Sequence, residues 1–115
     1  MDRDPECLFC GIVAGDVPSD RVYEDEAVIA FRDIAPRAPT HVLVIPRRHI
    51  ASADDLTEHD GEVLAAMFAA VRRVARDGGL RSYRIVSNVG AESGQSVFHL
   101  HLHLLGGRSM SWPPG

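Results

Sequence analysis

Histidine and apolar residues alternate from Phe98 to Leu105, in the run Phe98-His99-Leu100-His101-Leu102-His103-Leu104-Leu105. Period two marks a strand, whose successive side chains point to opposite faces. His99, His101 and His103 therefore share one face, and Phe98, Leu100, Leu102 and Leu104 share a core face. Residues 21–24 and 27–31 read as a hairpin turned at Asp25-Glu26. His41-Val42-Leu43-Val44-Ile45-Pro46 is nearly continuous in apolar and β-branched residues, as a central strand buried on both faces would be. Residues 82–88 predict a further strand, and a short helix passes through Ile12 and Val13 to end near Gly15. A long helix is expected from about Glu58 to Asp77, opened by the capping box Thr57-Glu58-His59-Asp60 and stopped by Gly78-Gly79. Antiparallel strands with one amphipathic helix on a face make an α+β domain.

On the long helix, Val63, Met67, Ala70, Val71 and Val74 form one stripe, extended by Leu64, Phe68 and Ala75. The apolar arc approaches about 160°, wider than the roughly 100° that one buried face requires. The spare edge at Leu64 and Phe68 fits either a subunit contact or deeper burial within the chain. Trp112, the only tryptophan, sits in the tail, where exposure would waste its large apolar area, so it is expected to dock on something.

The 115 residues fit one domain spanning 1–115, with 1–6 expected as a flexible tail and 106–115 as a C-terminal tail. A content of 45% hydrophobic and 24% charged residues is that of a soluble globular protein. The acidic opening residues do not resemble a signal peptide, and no apolar run is long enough for a membrane span, so a cytoplasmic protein with no membrane partner is expected. The net charge of -4 argues against a general nucleic-acid binder but not against a small anionic ligand held locally. All twelve basic residues are Arg, which excludes a lysine nucleophile or Schiff base.

Three imidazoles on one face are costly to bury without partners. Neighbours on a strand lie about 6.7 Å apart and the outer pair about 13 Å, so the three cannot all serve one metal unless the strand bends. Divided labour is expected, against the plain alternative of an exposed histidine-rich strand. Cys7 and Cys10 are half of a tetrahedral zinc set, a redox pair or two ordinary thiols. Asp33, just past a strand end, can take ligand hydroxyls or cap the following turn. The loop 89–96 is rich in Gly and Ser that bring N–H and O–H groups near an anion, but it lacks the P-loop pattern.

The His-Leu-His-Leu-His run at 99–103 resembles the motif of the histidine triad (HIT) superfamily. Phe31-Arg32-Asp33-Ile34-Ala35-Pro36, Ala38-Pro39-Thr40-His41 through Pro46, Ser93-Gly94-Gln95-Ser96-Val97-Phe98 and the final Trp112-Pro113-Pro114-Gly115 resemble its histidine triad nucleotide-binding branch. The resemblance covers about Cys7 to Gly115. It implies a five-stranded antiparallel sheet with one long and one short N-terminal helix. It also implies a homodimer that continues the sheet across its axis and brings the C-terminal tail near the partner's site.

The implied activity is hydrolysis at the α-phosphate of a purine nucleotide, with nucleoside phosphoramidates such as AMP amides, or aminoacyl adenylates, as substrates. His101 would be the nucleophile, its other nitrogen tied to a carbonyl such as that of His99, with His103 donating to a phosphate oxygen and His41 supporting the network. Ser96, Gln95, Asn88 and the N–H groups of the loop, which includes Gly94 and Val97, would stabilise charge. Asp33 would hold the ribose, Phe9, Ile12 and Ile34 the base, and Trp112 would lie at the partner's site. The resemblance also implies a structural zinc on Cys7, Cys10, His49 and His99, and no organic cofactor. The rival readings are dinucleoside polyphosphate hydrolysis and a non-catalytic nucleotide-binding adaptor.

Overall fold

The computed structural model describes residues 4–115. Its elements run α1 (Leu8–Ala14), β1 (Arg21–Glu24), β2 (Val28–Arg32), β3 (Thr40–Pro46), α2 (Gly61–Asp77), β4 (Tyr83–Val86) and β5 (Leu102–Gly106). The five strands form one antiparallel sheet in the order β1-β2-β3-β5-β4. This is the expected α+β architecture.

The sheet is covered on both sides, which explains the apolar runs of its centre. On one side Val28, Ala30, Val42, Val44, Leu102 and Leu104 meet Met67, Ala70, Val71 and Ala75 of α2. On the other, Ile29, Phe31, Leu43 and Ile45 meet Phe9 and Ile12 of α1. Burying each large side chain contributes about 1.5–3 kcal/mol. Helix α1 is too short to hold alone. It is closed by Gly15 at φ 82°, whose N–H returns to Ile12, and it rests on that second apolar cluster.

Three expectations shift. The histidine strand begins at Leu102, not Phe98, because residues 98–101 have left the ladder. There the Leu100 N–H donates to the Ile50 carbonyl, the Ser87 hydroxyl to that of His101, and the His101 imidazole engages that of His99. Leu100 keeps its core place, but Phe98 is exposed. The long helix begins at Gly61, preceded by a tight 3-10 turn over Glu58–Asp60. The capping box is present: Asp60 accepts from the Thr57 N–H at 2.8 Å, and the Thr57 hydroxyl accepts from the His59 N–H. Of the tail expected over 1–6, residues 1–3 lie outside the described residues. Asp4 to Glu6 form a turn whose Asp4 carbonyl accepts from the Cys7 N–H. At the other end Gly106 belongs to β5.

Candidate active site and metal centre

The face of the sheet under α1 carries the histidines. His41 on β3 and His103 on β5 lie diagonally across neighbouring strands, since Leu43 is opposite His103 and His41 opposite Leu105. Their ring centroids are 5.2 Å apart, and His101 stacks edgewise on His103 at 5.0 Å.

Each ring is held in a definite tautomer by what its nitrogens meet. His101 Nδ1 lies 2.7 Å from the His99 carbonyl, which can only accept, so Nδ1 carries the proton and Nε2 keeps its lone pair. His41 Nδ1 accepts from the Arg37 N–H at 3.0 Å, so the neutral ring is protonated at Nε2. That proton faces His103 Nδ1 at 2.9 Å and Asp33 Oδ2 at 3.3 Å. His103, accepting at Nδ1, then carries its proton on Nε2. His99 Nε2 donates to the Pro46 carbonyl at 2.8 Å and turns its Nδ1 lone pair away from the triad. The divided labour expected of the three imidazoles is thus set by backbone carbonyls and one N–H.

Burial lowers the pKa of His41 and of His101, opposed in both by the negative charge of Asp33 and, for His101, by the bond to the His99 carbonyl. His103 is pushed down to about 4, first by burial and then by the charges of His101 and His41. The unfolded imidazole titrates near 6.5. Between that pH and about 4 the unfolded chain binds more protons, so stability falls as pH drops through this window. The free energy of unfolding of the wild type is expected to fall more steeply between pH 7 and 5 than that of His103→Gln, as chemical denaturation at each pH will show. Parallel slopes would mean that His103 is not held neutral by the fold.

These groups border a cleft of about 380 Å³. Phe9, Ile12, Asp33, Ile34, Gly94, Ser96, Val97, His101 and His103 all line it. Its inner wall is apolar, from Phe9, Ile12, Val17, Phe31 and Leu43, and its exposed lining mixes Leu8 and Ile34 with Asp20, Arg32 and Ser96. Gly94 adopts φ 104°, a left-handed conformation natural to glycine, and so turns the backbone there beside the cleft.

Other expected residues stand elsewhere. Gln95 is buried and its amide is already used: Oε1 accepts from the Gly90 N–H, and Nε2 donates to the carbonyls of Ala51 and Val97. Its side chain builds the loop and has no bond left for a phosphate. Asn88 lies outside the cleft lining, beneath Gly94. Trp112 is 81% exposed, with the Arg84 guanidinium over its ring at 6.0 Å, and it does not line the cleft. Asp33 caps the turn, its Oδ1 accepting from the Ala35 N–H at 2.8 Å, and the residue also lines the cleft. Val17, Ser19 and Arg32 also line the cleft and were not foreseen, since a loop and a strand end signal nothing locally. The Ser19 hydroxyl is buried there with no hydrogen-bond partner among the described residues.

Behind the triad a second cluster gathers Cys7, Cys10, His49 and His99, their ligand atoms all within 4.8 Å of one another. Cys7 Sγ is 3.4 Å from His99 Nδ1, and Cys10 Sγ is 3.3 Å from His49 Nδ1 and 3.6 Å from His99 Nδ1. The two Nδ1 atoms are 3.3 Å apart. A tetrahedral zinc with bonds of about 2.3 Å to sulfur and about 2.0 Å to nitrogen has ligand edges of about 3.3–3.8 Å, so the four donors fit that ion. Burial brings His99 down to about 4, which keeps it in the neutral form a metal needs. A third group, Asp33, His41 and His103, also brings donors together. Its nitrogens, at 2.9 Å, are nearer than the ligands of a tetrahedral zinc stand, and the distance is that of a hydrogen bond.

The site and fold can be set beside known proteins. Residues 14–110 match the HIT domain family. The chain belongs to this family. A HIT family hydrolase from Legionella pneumophila superposes with a TM-score of 0.93 at 50% identity, over 96% of this HIT protein and 100% of that chain. A 14 kDa zinc-binding protein of Zea mays is 46% identical over 118 residues, 97% of this chain and 90% of its own. A zinc-bound histidine triad family protein from Mycobacterium smegmatis superposes with a TM-score of 0.78 at 38% identity, over 90% of this chain and 76% of its own. Among the described residues no helix is long and apolar enough to cross a membrane.

Proposed function

We propose that this HIT protein hydrolyses purine nucleoside phosphoramidates of the AMP-amide type through a nucleotidyl-histidine intermediate. The observation that carries this reading is the His101 imidazole. Its Nδ1–H is committed to the His99 carbonyl at 2.7 Å, and the ring borders the cleft with Nε2 unprotonated. The Nε2 lone pair attacks the α-phosphorus, and the P–N bond breaks with its electron pair leaving on the amine nitrogen, which takes up a proton from solvent water. Water then attacks the phosphorus of the intermediate, restores the imidazole and releases the nucleoside monophosphate. His103 donates from Nε2 to a phosphoryl oxygen, its tautomer set by His41, and Ser96 adds a hydroxyl from the loop. Phe9, Ile12 and Ile34 take the base. Each Asp33 oxygen keeps a lone pair for a ribose hydroxyl. Cys7, Cys10, His49 and His99 hold a structural zinc that ties α1 to the segment carrying His101. No organic cofactor enters this chemistry.

Steady-state hydrolysis of an adenosine 5′-phosphoramidate bearing a fluorescent amine, run beside a dinucleoside polyphosphate at equal concentration, tests this. Preferential turnover of the phosphoramidate is expected. Preferential turnover of the dinucleotide would move the leaving group to a nucleotide, and AMP binding with neither substrate turned over would make the protein a nucleotide-binding adaptor.

The protein acts as a homodimer in this reading. Its support is the β4 edge, unpaired within the described chain and ending the sheet, beside Ile85 and a Phe68 that is 46% exposed. Pairing of that edge across a two-fold axis would cover the spare side of α2 and carry Trp112 toward the partner's cleft. Sedimentation at micromolar concentration should give a dimer for the wild type and a monomer for Phe68→Glu. A monomeric wild type would rule the assembly out.

A further inference from the structure

The phosphoramidase reading leaves unexplained why the Cys/His centre stands directly behind the nucleophile. Helix α1 joins the two. Its flanking Cys7 and its own Cys10 face His49 and His99, while Phe9, between them, turns into the cleft wall. The Phe9 ring is nearly buried and meets three rings edge-to-face: Phe31 at 5.5 Å, His99 at 5.9 Å and His101 at 5.2 Å. The edge of one ring against the face of another is a directional contact, and it resists rotation of the imidazole.

Besides the edgewise contact with His103 at 5.0 Å, two restraints hold the His101 ring. One is the 2.7 Å bond from its Nδ1–H to the carbonyl of His99, whose own imidazole belongs to the Cys/His centre. The other is Phe9, whose position depends on a helix of seven residues. A helix that short has no stability of its own. Apart from its apolar contacts, it is held to the rest of the chain by the Cys pair and by the Arg21 guanidinium on the Ile12 carbonyl at 2.6 Å. A closed tetrahedral centre fixes the Cys pair and His99 relative to one another, and with them both restraints on the nucleophile.

We infer that Phe9 is a positioning residue through which closure of the Cys7/Cys10/His49/His99 centre holds the His101 imidazole in its reactive orientation. The effect on turnover rests on the phosphoramidase reading, whereas the effect on the ring does not. Loss of the ring's orientation misplaces Nε2 from the in-line approach. Small misplacements of that kind cost about tenfold or more in rate.

The test reads the ring without substrate. In full-length, zinc-loaded protein with 15N-labelled histidine, the Nδ1–H of His101 should give a protected proton resonance with the nitrogen shifts of a single tautomer. Removing zinc with a chelator should broaden that resonance or mix the tautomers. Phe9→Leu should do the same while zinc content, measured by atomic absorption, stays at the wild-type value. At saturating substrate kcat of Phe9→Leu should drop about tenfold. A lost base contact alone would raise KM and spare both kcat and the resonance. If Phe9→Leu does not fold, Phe9→Met keeps the bulk and removes the ring, and the same shifts are expected of it. The inference is overturned if the His101 signal is indifferent to zinc, or if it responds to zinc but not to either Phe9 variant. A changed resonance in a protein that hydrolyses no phosphoramidate would uphold the coupling and reject only the substrate.

Discussion

His101→Ala is expected to lower turnover of an adenosine 5′-phosphoramidate at least a thousandfold, about 4 kcal/mol of transition-state stabilisation. AMP affinity should stay near that of the wild type. The variant removes the only triad imidazole whose Nε2 is both unprotonated and next to the cleft. His103 cannot replace it, because its Nδ1 accepts from His41 and its Nε2 bears the proton. His99 faces the cysteines. The apolar wall of Phe9 and Ile12 and the Asp33 carboxylate remain, so the nucleotide still has its pocket. Mass spectrometry of acid-quenched wild type should also find a nucleotidyl adduct on His101 whenever its formation outpaces its hydrolysis. Undiminished turnover in the alanine variant would eliminate covalent catalysis at this residue, and an adduct on another histidine would relocate it.

Cys10→Ser should abolish zinc binding and make the protein insensitive to chelators. Wild type, by contrast, should lose at least about 10 °C in Tm on treatment with a chelator. A metal present at a thousandfold over its dissociation constant stabilises the fold that binds it by about 4 kcal/mol. In a domain of this size each kcal/mol is worth several degrees. Cys10 is 2% exposed and lies within reach of both histidine donors, so the serine leaves an incomplete set in a buried place. Burial raises the Cys7 thiol above its ordinary pKa, and a bound cation would favour its thiolate. Thermal unfolding with and without chelator, paired with metal analysis, reads both effects. No bound metal and an unmoved Tm in the wild type would reduce the four residues to a hydrogen-bonded cluster.

Much of this was legible along the chain. Alternation at 99–103 placed three histidines on one side of their segment, and that survives although only Leu102–Gly106 is laddered and the chain bends at 97–99, since His99 and His101 both meet the Phe9 ring and His101 meets His103. The apolar run ending at Pro46 read as a strand covered on both faces, as β3 is. Gln95 misled for a definite reason. An amide in a polar loop looks like a ligand group, and only the folded loop reveals the backbone groups at Gly90, Ala51 and Val97 that use it. Phe98 misled because alternation cannot tell where a strand leaves its sheet.

The sequence by itself determined the α+β class, the capping box of the turn that leads into α2 and the glycine stops of that helix, the two-sided burial of β3 and the family to which the chain belongs. These are local or periodic properties, written in the spacing of side chains. The resemblance implied a carbonyl such as that of His99 for His101, but which nitrogen of His41, His99 and His103 is free the tertiary structure alone decided. That depends on carbonyls and N–H groups of Pro46, His99 and Arg37, which every sequence carries at every position and which therefore leave no mark in it. It also decided that Phe9 stands between the cysteine pair and the nucleophile, a contact made across 92 positions of chain when α1 folds onto the sheet.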